Sequence, residues 1–114
     1  METLTPPNLG PPLHVHQRED ENFYIVEGDY LFEVDGRRIE LHAGDFAWAP
    51  RGVPHCFQNM GSAMGRMLIT VEPAGIEDFF WEIAAIPGPP DPAKIAPIGA
   101  KYGIELLGPP IHAR

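Results

Sequence analysis

Short apolar runs separated by turn residues fill the first two thirds of the chain. Within these runs apolar and polar residues tend to alternate, which is typical of strands with one face in a core and the other in solvent. Asp35-Gly36, between two such runs, is a strong signal for a two-residue hairpin turn. The pattern predicts strands over residues 13–16, 21–26, 30–34, 38–42, 46–49, 55–58 and 66–72. Strands this short, with no long helix between them, indicate an antiparallel sandwich or barrel.

After Pro73 the apolar residues recur at helical rather than strand spacing. They predict a short amphipathic helix of about two turns, formed around Ile76, Phe79, Phe80 and Ile83. Asp91-Pro92 predicts the start of a second helix, and Gly103 its end. We therefore expect a single domain over residues 1–114, with a barrel over about 2–72 and a helical extension over about 73–114. The first helix is expected to cover the outside of the barrel rather than its mouth.

Composition narrows the range of partners. The formal net charge of −8 argues against nucleic acid and anionic lipid, since either needs a basic face. No apolar run approaches the roughly 18 residues of a membrane helix, and the start of the chain lacks a signal pattern, so no membrane association is expected. Cys56 is the only cysteine, which excludes an intrachain disulfide and favours a reducing cytoplasm.

Four residues of the sequence are of the types that bind metal ions in proteins. His14 and His16 lie two positions apart on one predicted strand, so their side chains point to the same face. Glu21 and His55 each open another predicted strand, which allows all four to converge inside one small barrel. Three imidazoles and one carboxylate hold a divalent transition metal and leave coordination positions open. The pattern leaves the metal open among Fe, Mn, Ni, Co, Cu and Zn.

These residues stand in two longer motifs. The first reads His14-x-His16, four residues, Glu21, six residues, Gly28. The second reads Gly44, five residues, Pro50-x-Gly52, two residues, His55, three residues, Asn59. Both resemble the motifs of the cupin family, and the surrounding residues resemble a group of small bacterial cupins similar to quercetin dioxygenase. One departure is Asn8, where the family pattern often has a glycine, although Gly10 is nearby.

The resemblance implies an all-β fold, the double-stranded β-helix or jelly-roll-like barrel of cupins, with short C-terminal helices. It places the metal ligands on His14, His16, Glu21 and His55, and it gives Glu21 a catalytic role as the base that accepts a substrate proton. Members of that group usually carry further residues before the point where this chain starts, and those residues commonly complete the sheet. We therefore expect an edge that needs cover and a homodimer formed through that edge.

Strand alternation also suggests which side chains would touch a substrate. Phe23 and Ile25 share the face of Glu21, and Phe57 shares the face of His55. Phe46 and Trp48 form a further same-face pair, and the pattern does not say which face they occupy. The candidate substrate-binding residues are therefore Phe23, Ile25, Trp48 and Phe57.

Other residues of similar chemistry are assigned no role in the site. The solvated surface is the expected place of Glu19, Asp20, His42 and His112. Cys56 adjoins His55, so it points to the opposite face of its strand and is expected to be a buried, inert thiol.

Three function classes fit these residues. The first is a dioxygenase acting on a small aromatic or enol-type substrate such as a flavonol. The second is a metal-dependent isomerase or lyase that acts on a small carbonyl compound without dioxygen. The third is a non-catalytic module that binds a metal or small ligand. All three predict a small molecule as the ligand, and whether the protein is an enzyme stays open, because a fold and a metal set do not determine a reaction.

Overall fold

Two antiparallel sheets face each other and form a barrel in the computed structural model, which describes all 114 residues. The strands are β1 (Glu2–Thr5), β2 (Leu13–His16), β3 (Asp20–Glu27), β4 (Asp29–Val34), β5 (Arg37–His42), β6 (Phe46–Ala49), β7 (His55–Asn59), β8 (Gly65–Glu72) and β9 (Ile104–Gly108). The helices are α1 (Glu77–Ala84), α2 (Pro92–Lys101) and a terminal 3₁₀ turn (Ile111–Ala113). One sheet has the order β1-β8-β3-β6, and the other has the order β5-β4-β7-β2-β9. The predicted all-β barrel with short C-terminal helices is confirmed.

The core lies between the two sheets and is built from alternate residues of each strand. Phe23 and Ile25 point inwards from β3 and are paired with Ile69 and Met67 of β8. The main cluster of buried side chains is Phe23, Ile25, Tyr30, Phe32, Leu41, Ala47, Ala49, Phe57, Met67 and Ile69. Burial of this apolar surface is the main favourable contribution to folding.

All of the predicted strands are present, and their ends agree with the prediction to within one residue. The turn between β4 and β5 shows why the sequence signal was reliable there. Asp35 and Gly36 both adopt left-handed backbone conformations, with φ of 52° and 77°. Two consecutive residues of this kind form the hairpin turn whose twist matches that of the flanking strands.

Two strands, β1 and β9, were not predicted. β1 pairs with β8, and β9 pairs with β2, the strand that carries two of the candidate ligands. The expectation that residues 73–114 form only a helical extension is therefore wrong, because residues 104–108 return to the barrel as an edge strand. Two adjacent leucines break the alternation of β9, so its strand character is apparent only from its pairing with a distant part of the chain.

Both predicted helices are confirmed. The carboxylate of Asp91 accepts a hydrogen bond from the N–H of Ala93 at 3.0 Å, which is the N-cap contact that the sequence indicates at the start of α2. Pro97 lies inside α2, and Gly103 follows its last turn. Neither helix has the length and apolar character needed to cross a membrane.

The helices cover the mouth of the barrel, so the expectation of exterior cover is wrong. Val71 is paired with Glu21, and Ile104 is paired with His16, so both apolar side chains share the inward face of the candidate ligands. Phe79 of α1 packs with Ile104 and Val71 in a second apolar cluster. The sequence did not indicate this arrangement, because the surface that α1 covers includes the unpredicted β9.

Candidate metal centre

Four ligand-type side chains meet at one end of the barrel interior. β2 carries His14 and His16, β3 carries Glu21, and β7 carries His55, which is paired directly with His14. One donor atom from each residue lies within 4.8 Å of the donor atoms of the others. His16, Glu21 and His55 are buried, whereas His14 is half-buried. The structure therefore brings together the four residues that the sequence singled out.

Backbone carbonyls hold two of the three imidazoles. Nδ1 of His14 lies 2.7 Å from the carbonyl of Pro12, and Nδ1 of His55 lies 3.1 Å from the carbonyl of Val53. A carbonyl oxygen can only accept, so in both rings Nδ1–H is the donor. In a neutral ring the proton on Nδ1 leaves the lone pair on Nε2, which is the form of histidine that binds a metal.

The carboxylate of Glu21 lies between two of the rings. Its Oε2 is 3.4 Å from Nε2 of His16 and 3.4 Å from Nε2 of His55. Burial acts to raise the pKa of Glu21, but the contact with His55 and the attraction of the neighbouring histidines, which become protonated in the acidic range where a carboxyl group titrates, outweigh burial and hold that pKa below its usual value. Glu21 is therefore an ionised carboxylate at the centre of the cluster at neutral pH.

Burial makes two of the histidines around Glu21, His14 and His16, harder to protonate. Burial, with a further contribution from the charge of His55, lowers the pKa of His14 from 6.5 to about 4. Burial also lowers the pKa of His16, although Glu21 acts in the opposite direction. Metal ligands have to be deprotonated, so these lowered pKa values keep the rings ready to bind a cation.

The donor set fits a divalent transition metal in chemistry and in size. Two ligands on opposite sides of an ion at about 2.1 Å lie about 4.2 Å apart, so a maximum separation of 4.8 Å needs only a small contraction. Imidazole and carboxylate ligands accept most first-row divalent ions, which leaves the identity of the metal open. The cluster is a site that is able to hold one such ion.

Glu19 does not lie in the solvated turn that the sequence predicted. It is only 6% exposed, and its Oε1 lies 3.6 Å from Nδ1 of His16. Glu19 precedes β3 in a turn where no alternation can be read, so nothing in the sequence indicated the direction of its side chain beyond its position three residues after His16. Asp20 does point outward, where the N–H and guanidinium of Arg51 donate hydrogen bonds to it.

Three of the four candidate substrate-binding residues lie inside the barrel. The ring of Phe23 is 5.8 Å from that of His55 and 6.0 Å from that of Phe57, measured between centroids. Ile25 lies one layer further from the cluster, where it is fully buried opposite Met67. Phe23, Ile25 and Phe57 thus extend from the cluster into the core.

Trp48 does not face the interior, so its assignment as a substrate contact is corrected. The register of β6 pairs Ala49 with Glu21 and Trp48 with Asn22, which places Ala49 on the inward face and Trp48 on the outward face. The side chain of Trp48 is 57% exposed. The residues that do share the inward face beside the cluster are Val71 and Ile104, which the sequence did not indicate.

The remaining histidines and the cysteine lie outside the cluster. His42 and His112 are exposed, as expected. Cys56 is fully buried and unpaired on the opposite face of β7 from His55, near the carboxylate of Glu33. Burial and the charge of Glu33 raise the pKa of the Cys56 thiol to about 11, which makes it a poor nucleophile.

Comparison with known proteins identifies relatives of the barrel. The family model of the cupin domain matches residues 1–71. A quercetin 2,3-dioxygenase of Bacillus subtilis is 33% identical over 67 residues, which are 59% of this chain and 20% of that protein. An oxalate-binding protein of Thermotoga maritima is 33% identical over 57 residues, which are 50% of this chain and 47% of that protein. The matched segments thus span less than half of these two relatives.

A solved structure extends the likeness to the three-dimensional fold. The RmlC-like cupin from Shewanella frigidimarina superimposes with a TM-score of 0.61 at 29% sequence identity. The superposition covers 68% of this chain and 67% of that one.

Proposed function

Because this chain belongs to the cupin family, we propose that it is a metal-dependent dioxygenase acting on a small aromatic or enol-type substrate such as a flavonol. The observation that carries the proposal is the position of Glu21, whose Oε2 lies 3.4 Å from Nε2 of both His16 and His55. A carboxylate in that position is able to act as a ligand and to accept a proton from a substrate hydroxyl beside it. The quercetin 2,3-dioxygenase relative supplies the substrate class.

In this proposal His14, His16, Glu21 and His55 would hold one Fe, Mn, Ni, Co, Cu or Zn ion. When bound, the ion would supply Lewis acidity, which would lower the pKa of a substrate hydroxyl. Glu21 receives the hydroxyl proton on its carboxylate, and the lowered pKa of Glu21 means that this carboxylate is ionised before substrate arrives. The lowered pKa values of His14 and His16 keep these two rings neutral at pH 7 and able to bind through Nε2.

The surroundings of the cluster support an apolar, flat substrate. The ring of Phe23 lies next to that of His55, Phe57 lies next to Phe23, and Ile25 forms a further buried layer, so the wall behind the cluster is apolar. Of the four candidate ligands only His14 is partly exposed, so a substrate approaches from its side. The apolar residues of α1 and β9 at the mouth limit the entry of water.

Oxygen consumption tests this proposal. Metal-free protein is reconstituted anaerobically with each candidate ion, and oxygen uptake is then measured with flavonols and catechols. We expect uptake with at least one ion and a fall of roughly 100-fold in Glu21→Gln, the size expected for loss of a general base. Glu105→Gln, an exposed carboxylate on β9, is the matched control and should retain the activity. Absence of uptake with every ion contradicts the proposal.

A second candidate function is a non-catalytic module that binds a metal and a small ligand. The apolar cover over the mouth and the oxalate-binding relative favour it.

A metal-dependent isomerase or lyase acting on a small carbonyl compound uses the same residues without dioxygen. Ligand binding without turnover identifies the first of these alternatives, and turnover that is unaffected by removing oxygen identifies the second.

We also propose that the partner of the protein is a second copy of the same chain. The outer face of the four-stranded sheet carries a group of exposed apolar side chains, Leu4, Tyr24, Phe46, Trp48 and Leu68. Clustered exposed apolar residues are typical of a protein interface. Light scattering should show a dimer that dissociates in Trp48→Asp but not in Trp81→Asp, whose tryptophan is exposed on α1. A monomeric wild-type protein contradicts this proposal.

A further inference from the structure

The three histidines of the cluster differ in what faces their second ring nitrogen. His14 and His55 each have a backbone carbonyl at Nδ1. Nδ1 of His16 has no hydrogen-bond partner, and the carboxylate of Glu19 faces it, with Oε1 3.6 Å away. The ring of His16 is therefore the only one of the three with a side chain, rather than a backbone carbonyl, facing Nδ1.

Both members of this pair are buried and lack other partners. His16 is 5% exposed and Glu19 is 6% exposed. Neither Nδ1 of His16 nor Oε1 of Glu19 has a hydrogen-bond partner. Buried polar atoms are nearly always paired, so two unpaired atoms that face each other a few tenths of an ångström beyond hydrogen-bonding distance call for an explanation. A small contraction of the site would satisfy both atoms at once.

His16 also lies between two carboxylates, one at each ring nitrogen. Its Nε2 is 3.4 Å from Oε2 of Glu21, while its Nδ1 faces Glu19. A proton on Nε2 would donate to Glu21 and would leave no lone pair for a cation. A proton on Nδ1 would donate to Glu19 and would free Nε2 for binding. The two carboxylates thus compete for the single proton of the neutral ring.

We propose that Glu19 is a positioning residue, which accepts a hydrogen bond from Nδ1–H of His16 and so keeps Nε2 of that ring free for the metal. The inference rests on the proposed function in one respect, namely that the cluster binds a divalent ion. A carboxylate partner raises the basicity of a ligand histidine and fixes its tautomer. Glu19 and Glu21 together also supply two negative charges, which balance those of a divalent cation.

Metal affinity provides the first test, with Ni²⁺ or Co²⁺ titrated into metal-free protein. Loss of an outer partner of a ligand histidine typically costs 10- to 100-fold in affinity, so we expect about 100-fold for Glu19→Ala and about tenfold for Glu19→Gln, which keeps an acceptor oxygen. Asp20→Asn removes the neighbouring charge, which points outward to Arg51, and should change affinity by less than about twofold, as expected for an exposed ion pair.

The tautomer of His16 in the metal-free protein provides a second readout, which a purely structural role of Glu19 would not change. Nitrogen NMR of the imidazole rings should show Nδ1–H for His16 in the wild type and a shift towards Nε2–H in Glu19→Ala. If Glu19→Ala does not fold, Glu19→Leu, which fills similar space without an acceptor oxygen, takes its place in both experiments. If the wild type binds the ion and the Glu19 variant binds it with the same affinity, the proposed role of Glu19 is overturned, but the proposed metal site is not. A wild-type protein that binds no ion overturns the proposed function as well.

Discussion

The interior of the barrel has two halves that are built by the same strands and have opposite chemistry. At the mouth, β3 and β7 contribute Glu21 and His55. One step further along the same face of these strands lie Phe23 and Phe57, which begin the apolar core. Burial of the polar groups at the mouth opposes folding, whereas burial of the aromatic layer favours it. On each of these strands the candidate ligand and the first residue of the apolar core are thus only two positions apart.

Removing a side chain from the apolar half should have the largest effect on stability. Phe32 is fully buried in the core, and truncation of a buried phenylalanine to alanine costs about 3–5 kcal/mol. Denaturant unfolding of Phe32→Ala should show that loss. Phe46→Ala, at a phenylalanine that is 59% exposed on the outer face, should cost less than about 1 kcal/mol when unfolding is measured at low protein concentration, where the proposed dimer is dissociated. Equal costs at the two positions would remove the distinction between core and outer face.

Truncation of a candidate ligand in the polar half of the barrel should instead weaken metal binding. His55→Ala removes a proposed ligand, so we expect Ni²⁺ affinity to fall by at least about 100-fold, since even an outer partner of a ligand is worth 10- to 100-fold. Calorimetric titration measures this loss, and exposed His42→Ala is the matched control. The metal-free stability of His55→Ala should change much less than that of Phe32→Ala. A large loss of stability with unchanged affinity would assign His55 to the core.

The pH dependence of stability should report the cost of burying the histidines. The pKa of His14 is lowered by burial and by His55 from 6.5 to about 4, so between these values the unfolded chain binds a proton that the folded chain does not. The free energy of unfolding of the metal-free protein should therefore decrease as the pH is lowered from about 6.5 to 4. Glu21, whose pKa is also lowered, adds an effect of the same sign at still lower pH.

Denaturant unfolding at a series of pH values measures this dependence. The change in the free energy of unfolding between pH 6.5 and 4 should be smaller in His14→Asn than in the wild type. It should be unchanged in His112→Asn, because His112 is exposed. A free energy of unfolding that stays constant or increases on acidification from pH 6.5 to 4 would contradict a lowered pKa of His14 in the folded protein.

Substitution of Trp48 should have the smallest effect on the barrel interior. Trp48 is paired with the outward residue Asn22, so Trp48→Ser should change Ni²⁺ affinity and the stability of the monomeric fold by no more than about 0.5 kcal/mol. Isothermal titration and unfolding at low protein concentration measure both quantities. A clear loss of Ni²⁺ binding would place Trp48 at the site after all.

The sequence was sufficient where a periodic pattern fixed the direction of a side chain. The spacing of His14, His16, Glu21 and His55 indicated the cluster, and alternation placed Phe23 on its face. The same alternation in β6 did not distinguish its two faces. Alanines occupy the inward face of β6, where they lie among the large aromatic rings of the core.

Features that depend on turns or on distant pairing were beyond the reach of sequence patterns. Glu19 lies in a turn, where no period applies, and only the folded chain brings its carboxylate to His16. β9 follows two helices, and pairs with β2 to place Ile104 beside the cluster. The cover of the mouth by α1 depends on that strand, so it was missed for the same reason.

Metal stoichiometry shows directly whether the polar half of the barrel holds one divalent ion. Protein without a histidine tag is loaded with Ni²⁺, dialysed and analysed for bound metal, in parallel with the double variant His14→Ala/His55→Ala. We expect one ion per chain in the wild type and none in the double variant. A wild type that retains no metal, or a folded double variant that retains as much as the wild type, would contradict the account.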